Sequence, residues 1–404
     1  MASALEGIKV LDLTGLGPAS MAAMMLGDMG ADVIKIDMPP GVTERGVGRG
    51  YGSPPEVGDE IQRVFANMAF NRNKKNLALN LRTEAGQRIF HKLAETSDVI
   101  IEGFRPGVMQ RLGVGYESIS RINPRIIFCS VSGYGQDGPY RDFPGHDPNY
   151  TAIGGVLSLV GESADTPPVL PLNISADLGA AVFQTVIGIL LSLCARERTG
   201  RGQLVDISMT DGVVFLLAFI PGAAEYFGTG VVPKRGQTLT SGTEPYCAVY
   251  KTKDSKYISL CPLEPHFWRN LCRVLERDDL IPLQFAAGPQ KDEVFHDLRQ
   301  IFSTKTREEW FDLLTKADVP VGKVLDLDEV FSDPQVLHRQ MVIEVNHPKF
   351  GKVKQMGFSI KLSDTPGKIR SLPSTLGQHT NEMLLSLGYS QEEIEKLRQE
   401  QVVY

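Results

Sequence analysis

The first forty residues restrict the fold more than any other stretch of the chain. Residues 8–13 are rich in β-branched and leucine side chains and read as a strand, followed by the turn Thr14-Gly15-Leu16-Gly17-Pro18. A helix is expected over residues 19–29, with Pro18 suited to its first turn because the first helical N–H has no acceptor anyway. Gly30 ends it, and residues 31–36 form a second strand closing on Asp37. A strand, a helix and a strand joined by loops this short make a parallel βαβ unit. The alternation continues with a strand at 76–80, a helix at 83–94 and strands at 98–102 and 126–130. The chain is therefore read as α/β, with a doubly wound, Rossmann-like large domain.

At 404 residues the chain exceeds one ordinary compact domain. The segment 228–242, rich in Gly, Thr and Pro, reads as a linker. Beyond it come a hairpin (246–251 with 257–261) and helices at 264–275, 291–301 and 306–316, which form a smaller α+β domain. A helix at 327–339 carries the chain away again. The expected division is a large domain over 1–227, completed by 335–404, and a small domain with its linkers over 228–334.

With 42% hydrophobic and 22% charged residues, the composition supports sizeable cores. A formal charge of −6 argues against nucleic acid as the main partner but permits a phosphorylated ligand, since a few local Lys and Arg suffice. The five cysteines, at 129, 194, 247, 261 and 272, have no metal-type spacing. Cys129 and Cys194 lie in apolar runs and read as buried thiols, which suits a reducing compartment. The start Met-Ala-Ser-Ala-Leu-Glu-Gly has no basic and apolar leader pattern, and the longest apolar runs are interrupted. The expectation is a cytoplasmic protein with no membrane partner.

Several short stretches carry residues fit for chemistry. Gly15-Leu16-Gly17-Pro18-Ala19-Ser20, with Asp37 downstream, approximates a dinucleotide fingerprint, but the last glycine is missing and an ordinary tight turn fits as well. Arg72, Asn73, Lys74 and Lys75 form a basic cluster that is either a solvated loop or a phosphate clamp. Arg105, after a strand's carboxyl end, is placed where open α/β sheets bind ligands and can join such a clamp.

His146 and Asp147 sit together in Gly145-His146-Asp147-Pro148-Asn149-Tyr150. Asp177 stands where an N-cap belongs, before a long apolar helix, and Glu264 opens a helix with Pro265 behind it. Each has an ordinary structural reading. A His and an Asp beside one ligand can also act as two bases on opposite faces of a single carbon, which is what racemization of a carbon acid requires.

These stretches resemble the class III CoA-transferase (CaiB/BaiF) family, and in particular its α-methylacyl-CoA racemase branch. The likeness runs through Leu5-Glu6-Gly7-Ile8-Lys9-Val10, Gly30-Ala31-Asp32-Val33, Asn71-Arg72-Asn73-Lys74, Gly103-Phe104-Arg105-Pro106-Gly107, Gly133-Tyr134-Gly135-Gln136, Thr199-Gly200-Arg201-Gly202-Gln203 and Gly377-Gln378-His379-Thr380. The resemblance implies an interlocked homodimer whose site lies between one subunit's large domain and its partner's small domain. It implies His146 and Asp177 as catalytic bases, with Glu264 and Asp147 supporting the histidine. Arg72, Asn73, Lys74, Lys75 and Arg105 are implied as holders of coenzyme A.

Two activities follow from the resemblance. One is a racemase or epimerase exchanging the α-proton of a 2-methylacyl-type CoA thioester, with backbone N–H groups at the helix start by Asp177 stabilising the enolate oxygen. The other is a CoA-transferase working through a covalent intermediate on Asp177. Neither implies a cofactor beyond the coenzyme A of the substrate. The sequence departs from the racemase pattern at Pro148, at Ser241-Gly242-Thr243-Glu244-Pro245 and at Met38, where racemases carry a basic residue on the adenine side, and Ala317-Asp318-Val319-Pro320-Val321-Gly322 is more similar to the transferase relatives.

Overall fold

The computed structural model describes residues 2–15, 17–40 and 69–404; Leu16, in the predicted first turn, lies outside them. Six parallel strands form the main sheet: β1 (Lys9–Leu13), β2 (Asp32–Asp37), β3 (Lys74–Ala78), β4 (Val99–Glu102), β5 (Ile127–Ser132) and β6 (Leu204–Ser208). Their order is β3-β2-β1-β4-β5-β6. The expected strand at 76–80 is drawn two residues earlier, because Lys74 already pairs with Val33.

The strands are apolar on both faces, as a sheet covered on two sides requires. Successive residues alternate between two cores. Val10, Val99, Ile101, Ile127 and Cys129 face α1 (Pro18–Asp28), packing on Ala22, Ala23 and Leu26. Leu11, Ile100 and Phe128 face α2 (Glu84–Glu95) through Ile89, Phe90 and Leu93. Thr83 caps α2, its hydroxyl accepting from the Gly86 N–H at 3.0 Å. Behind β4 come the short α3 (Val108–Arg111) and α4 (Tyr116–Ile122), and behind β5 comes α5 (Asp147–Ile153).

The chain then enters a continuous helix, π-wound over Ile174–Phe183 and α-helical as α6 (Gln184–Thr199). Its inner side, Ala181, Val182, Val186 and Ile189, joins the core shared with α1. The sequence reading began this helix after Asp177 and counted its apolar runs as interrupted. Asp177 instead lies inside the π-turn, and the joined helix spans 26 residues with mean hydropathy 2.1, 39% of that window being buried. Among the described residues it is the one single helix long and apolar enough to cross a membrane, a test that core helices of soluble proteins also pass. Phe183, Ile187 and Leu191 on its outer side are exposed.

By compactness the chain divides into two units. One comprises residues 1–154, 172–213 and 334–404; the other comprises 155–171 and 214–333. Segments 155–171 and 214–227, assigned from sequence to the large domain, thus group with the smaller unit. That unit holds an antiparallel sheet of β7 (Ala248–Lys251), β8 (Tyr257–Leu260) and β9 (Val321–Lys323). Packed on it are α7 (Pro265–Val274), α8 (Pro289–Phe302) and α9 (Arg307–Lys316), around Tyr250, Trp268, Phe302 and Trp310. The helix expected at 327–339 is two short ones, Leu327–Val330 and Pro334–His338, and a hairpin of β10 (Val342–His347) and β11 (Gly351–Met356) follows in the first unit.

Cys129 is buried as expected, whereas Cys194 is exposed. Cys247 and Cys261, which flank the paired strands β7 and β8, are joined as a disulfide with Cα atoms 4.2 Å apart.

Candidate active site

The basic cluster is built into the fold. Arg72 is 1% exposed and grips Asp28 with two hydrogen bonds, Nε at 2.9 Å and Nη2 at 2.6 Å. Asn73 donates to the same carboxylate at 2.7 Å. Lys74, also buried, meets Asp12 at 2.7 Å, and burial pushes its ammonium down to about 8. Burial alone would raise Asp12, but Lys74 and Lys35 together hold it below the usual carboxylate range. Lys75 is partly exposed and pairs with Glu382 at 2.9 Å.

This corrects the phosphate-clamp expectation for Arg72, Asn73 and Lys74: their donors are taken up by the domain itself. The topology gives the reason. The cluster runs into the first residues of β3 and so lies at the amino edge of the parallel sheet, whereas ligands of open α/β sheets bind at the carboxyl edge. Asp37 accepts from the Asn76 amide at 2.7 Å, an internal partner that speaks against a ribose contact.

The carboxyl edge gathers the other candidates of the first unit. Tyr150, from α5, lies against the loop after β5: a Cβ on Gly133 would come 2.3 Å from its ring, and one on Gly145 2.6 Å. Its hydroxyl donates to the Gly145 carbonyl, fastening the residue beside His146. Tyr134 packs edge-on against the same ring, centroids 5.2 Å apart. Burial pushes the Tyr150 phenol up to about 12, with Tyr134 and Asp177 adding to the effect and Arg105 opposing it. His146 takes the N-cap position of α5, and its N–H donates to the Asn149 side chain at 3.0 Å.

Asp147 links the segments that carry His146 and Asp177. It is 3% exposed, and its Oδ2 accepts from the N–H groups of both Ala176 and Asp177 at 2.9 Å. Its Oδ1 accepts from the Thr151 hydroxyl at 3.0 Å. The histidine loop and the start of the π-helix are thereby tied at one carboxylate. Two expectations change as a result. Asp177 is not an N-cap, and the N–H groups of Ala176 and Asp177 are already occupied rather than open to an enolate oxygen.

Asp177 itself is partly exposed. Burial raises its proton affinity, Asp147 adds to that, and the Asn173 amide at 3.2 Å and the His146 imidazole oppose it. The sequence reading passed over Asn173, although its place four residues before Asp177 is one helical turn away and was legible.

Arg105 follows β4, exposed, with no ion pair or hydrogen bond to its guanidinium among the described residues. Beneath it, Glu102 is buried and accepts from the Phe104 N–H at 2.8 Å, and burial pushes its carboxyl up to about 7.

In the second unit Glu264 stands at the N-cap of α7, exposed and with no side-chain partner among the described residues. The stretch before it is fixed by Gln284, whose amide donates to the carbonyls of Leu263 at 2.8 Å and Pro262 at 3.3 Å.

An α/β sheet whose carboxyl edge presents an imidazole, a carboxylate of raised proton affinity and an unpaired arginine has the equipment for proton or acyl chemistry on an anionic substrate. The chain belongs to CoA-transferase family III, whose description matches residues 5–380. It is 31% identical to α-methylacyl-CoA racemase of Homo sapiens, over 99% of this chain and 97% of that protein. It is 34% identical to succinyl-CoA:glutarate CoA-transferase of Mus musculus, over 97% of this chain and 88% of that one. Among solved structures, a CAIB/BAIF family protein from Brucella suis matches with a TM-score of 0.79 and 28% identity, over 96% of this chain and all of that one. Racemases and transferases stand at similar identity, so the family is fixed and the particular reaction is not.

Proposed function

We propose that the protein is an acyl-CoA racemase or epimerase acting on the α-carbon of a 2-substituted acyl-CoA. The observation that supports this most is the Asp147 carboxylate, which ties the His146 loop to the turn carrying Asp177. A transferase needs only the carboxylate as nucleophile; a two-base racemase also needs an imidazole held in fixed relation to it.

In this reading the thioester acidifies the α-carbon. His146 removes the proton from one face, and the protonated Asp177 delivers its own to the other. The raised proton affinity of Asp177 favours its carrying that proton. The enolate oxygen needs a donor other than Ala176 and Asp177. The N–H of Asp147, in the first turn of α5, has no acceptor among the described residues, and we assign it that role. Arg105 binds a phosphate of the coenzyme.

The exposed apolar side of the helix 174–199 supports a second copy of the chain as its cover, since a lone soluble subunit rarely leaves such a surface open. We accordingly propose a homodimer, with Glu264 reaching the histidine of the partner subunit.

The test is a single-enantiomer 2-methylacyl-CoA in deuterated water with no acceptor acid. Deuterium at C2 with loss of optical purity is expected, falling by roughly 10²-fold or more in His146→Ala. The similar identity to a transferase keeps a second reading alive. Absence of α-proton exchange, with CoA passing to an added carboxylic acid through an adduct trapped on Asp177, decides for it.

A further inference from the structure

The Glu264 carboxylate has no side-chain partner among the described residues, so its position is set by the backbone that carries it. That backbone is held in two ways. Gln284 donates to the carbonyls of Pro262 and Leu263, and the Cys261 N–H donates to the Pro320 carbonyl at 3.2 Å. The other hold is covalent, from Cys261 to Cys247. Ala248 faces Leu260 in the antiparallel register, so the next pair outward is Cys247 with Cys261, and the bridge closes the hairpin just before Glu264.

Cys247 belongs to a firmly held turn. Its N–H donates to the Glu244 carbonyl at 2.8 Å, and the buried Tyr250 hydroxyl donates to the Pro245 carbonyl at 2.6 Å. The Glu244 carboxylate meets Lys291 of α8 at 3.1 Å. The bridge thus ties the segment before Glu264 to a post fixed in the core of the smaller unit. Each segment keeps non-covalent contacts of its own, so the hairpin survives opening of the bridge, whereas the tie between the two does not.

The bridge is open to exchange from one side. Cys247 is buried, while Cys261 is half-buried and is the more accessible to an attacking thiolate. The remaining thiol of this unit, Cys272, is pushed up to about 12 by its burial in α7, which keeps it out of the exchange. Cys194, in the other unit, is a free thiol although exposed. A bridge in a chain that keeps an exposed thiol suits redox sensing better than permanent structure.

We infer that Cys247 and Cys261 form a reversible thiol–disulfide latch, which fixes the Glu264 segment when closed and releases it when a dithiol reductant opens it. The reductant's thiolate attacks the Cys261 sulfur, the S–S bond breaks, and its electron pair leaves on Cys247, which takes a proton. The reductant's second thiol then attacks the mixed disulfide and frees Cys261 as a thiolate, protonated in turn. Two electrons and two protons pass from the dithiol, which ends as a disulfide; an acceptor disulfide runs the exchange backwards. The consequence for turnover rests on the role proposed for Glu264.

The test compares the full-length protein treated with oxidised glutathione and with dithiothreitol. Amide exchange at Cys261 and Leu263, whose N–H groups are hydrogen-bonded in the closed form, is expected to quicken about tenfold on reduction and to recover on reoxidation. Equal exchange in the two states overturns the latch. Cys247→Ser with Cys261→Ser should match the reduced protein and ignore both reagents; the wild-type cycle decides the matter even where that variant misfolds. For α-proton exchange, reduction is expected to lower kcat about tenfold with KM little changed, and Glu264→Gln, already slow, should not respond. A response to reduction as large in Glu264→Gln as in the wild type overturns the link to Glu264. If amide exchange responds but neither state exchanges α-protons, the proposed reaction fails and the latch stands.

Discussion

Replacing Asp147 by alanine takes the acceptor away from two backbone N–H groups at once, those of Ala176 and Asp177. Leaving a buried donor unpaired costs about 1–3 kcal/mol. The expected destabilisation of this junction is therefore about 2–6 kcal/mol, a large part of the stability of an ordinary domain. Asp147→Asn keeps an oxygen in place but removes the charge, and is expected to lose about half as much. Amide exchange followed by mass spectrometry reads the effect locally. A loss of 2 kcal/mol speeds exchange at residues 176 and 177 by about 30-fold, with little change in the second unit. Because the Asp147 charge raises the proton affinity of Asp177, the Asn variant should also shift the alkaline limb of α-proton exchange, in the direction that uses protonated Asp177, to lower pH. Exchange at these two amides unaltered in Asp147→Ala would refute the claim that one carboxylate joins the segments carrying His146 and Asp177.

Other outcomes follow from groups away from that junction. Glu102 keeps its proton up to about pH 7 in the folded chain, while the unfolded chain releases it near its ordinary 4.5. Stability is therefore fully present below 4.5 and falls by about 3 kcal/mol as pH rises through 7; denaturant midpoints for Glu102→Gln should lack this slope. Arg72→Ala leaves Asp28 buried without its cation and should cost about 3–5 kcal/mol, with coenzyme affinity of the folded fraction intact. A well-folded Arg72→Ala protein that had lost coenzyme affinity would restore the clamp reading. Opening the Cys247–Cys261 bridge, whose ends are 14 residues apart, should destabilise the smaller unit by about 3 kcal/mol. Five titratable thiols in the denatured, unreduced protein, instead of three, would contradict that bridge.

The elements that formed where the sequence placed them are those with strong local signals. The opening βαβ, the helix at 83–94 and the Pro265 start of α7 all depend on residues within a turn of one another. The misreadings came from distant partners. Nothing near Arg72 in sequence reveals that Asp28 awaits it 44 residues away, so a buried ion pair looked like a ligand clamp. Asp177 looked like a helix cap because an Asp before an apolar run usually is one; in the fold it lies inside the π-turn, and its N–H donates to Asp147, 30 residues upstream. His146, Asp147 and Asp177 were legible as candidates, but the bonds from the N–H groups of Ala176 and Asp177 to Asp147 were not.

The fit of Tyr150 between Gly133 and Gly145 bears on how sequences of this kind can drift. A methyl group at either glycine would overlap the ring, and the ring's hydroxyl holds the carbonyl next to His146. The three positions are therefore free to change only together. A homologue with alanine at the position of Gly133 should carry a smaller side chain at that of Tyr150, and should fasten its histidine loop by some other contact. Descent through single substitutions passes first through a protein with a displaced histidine, so this corner of the chain is expected to stay fixed while the surrounding loops diverge.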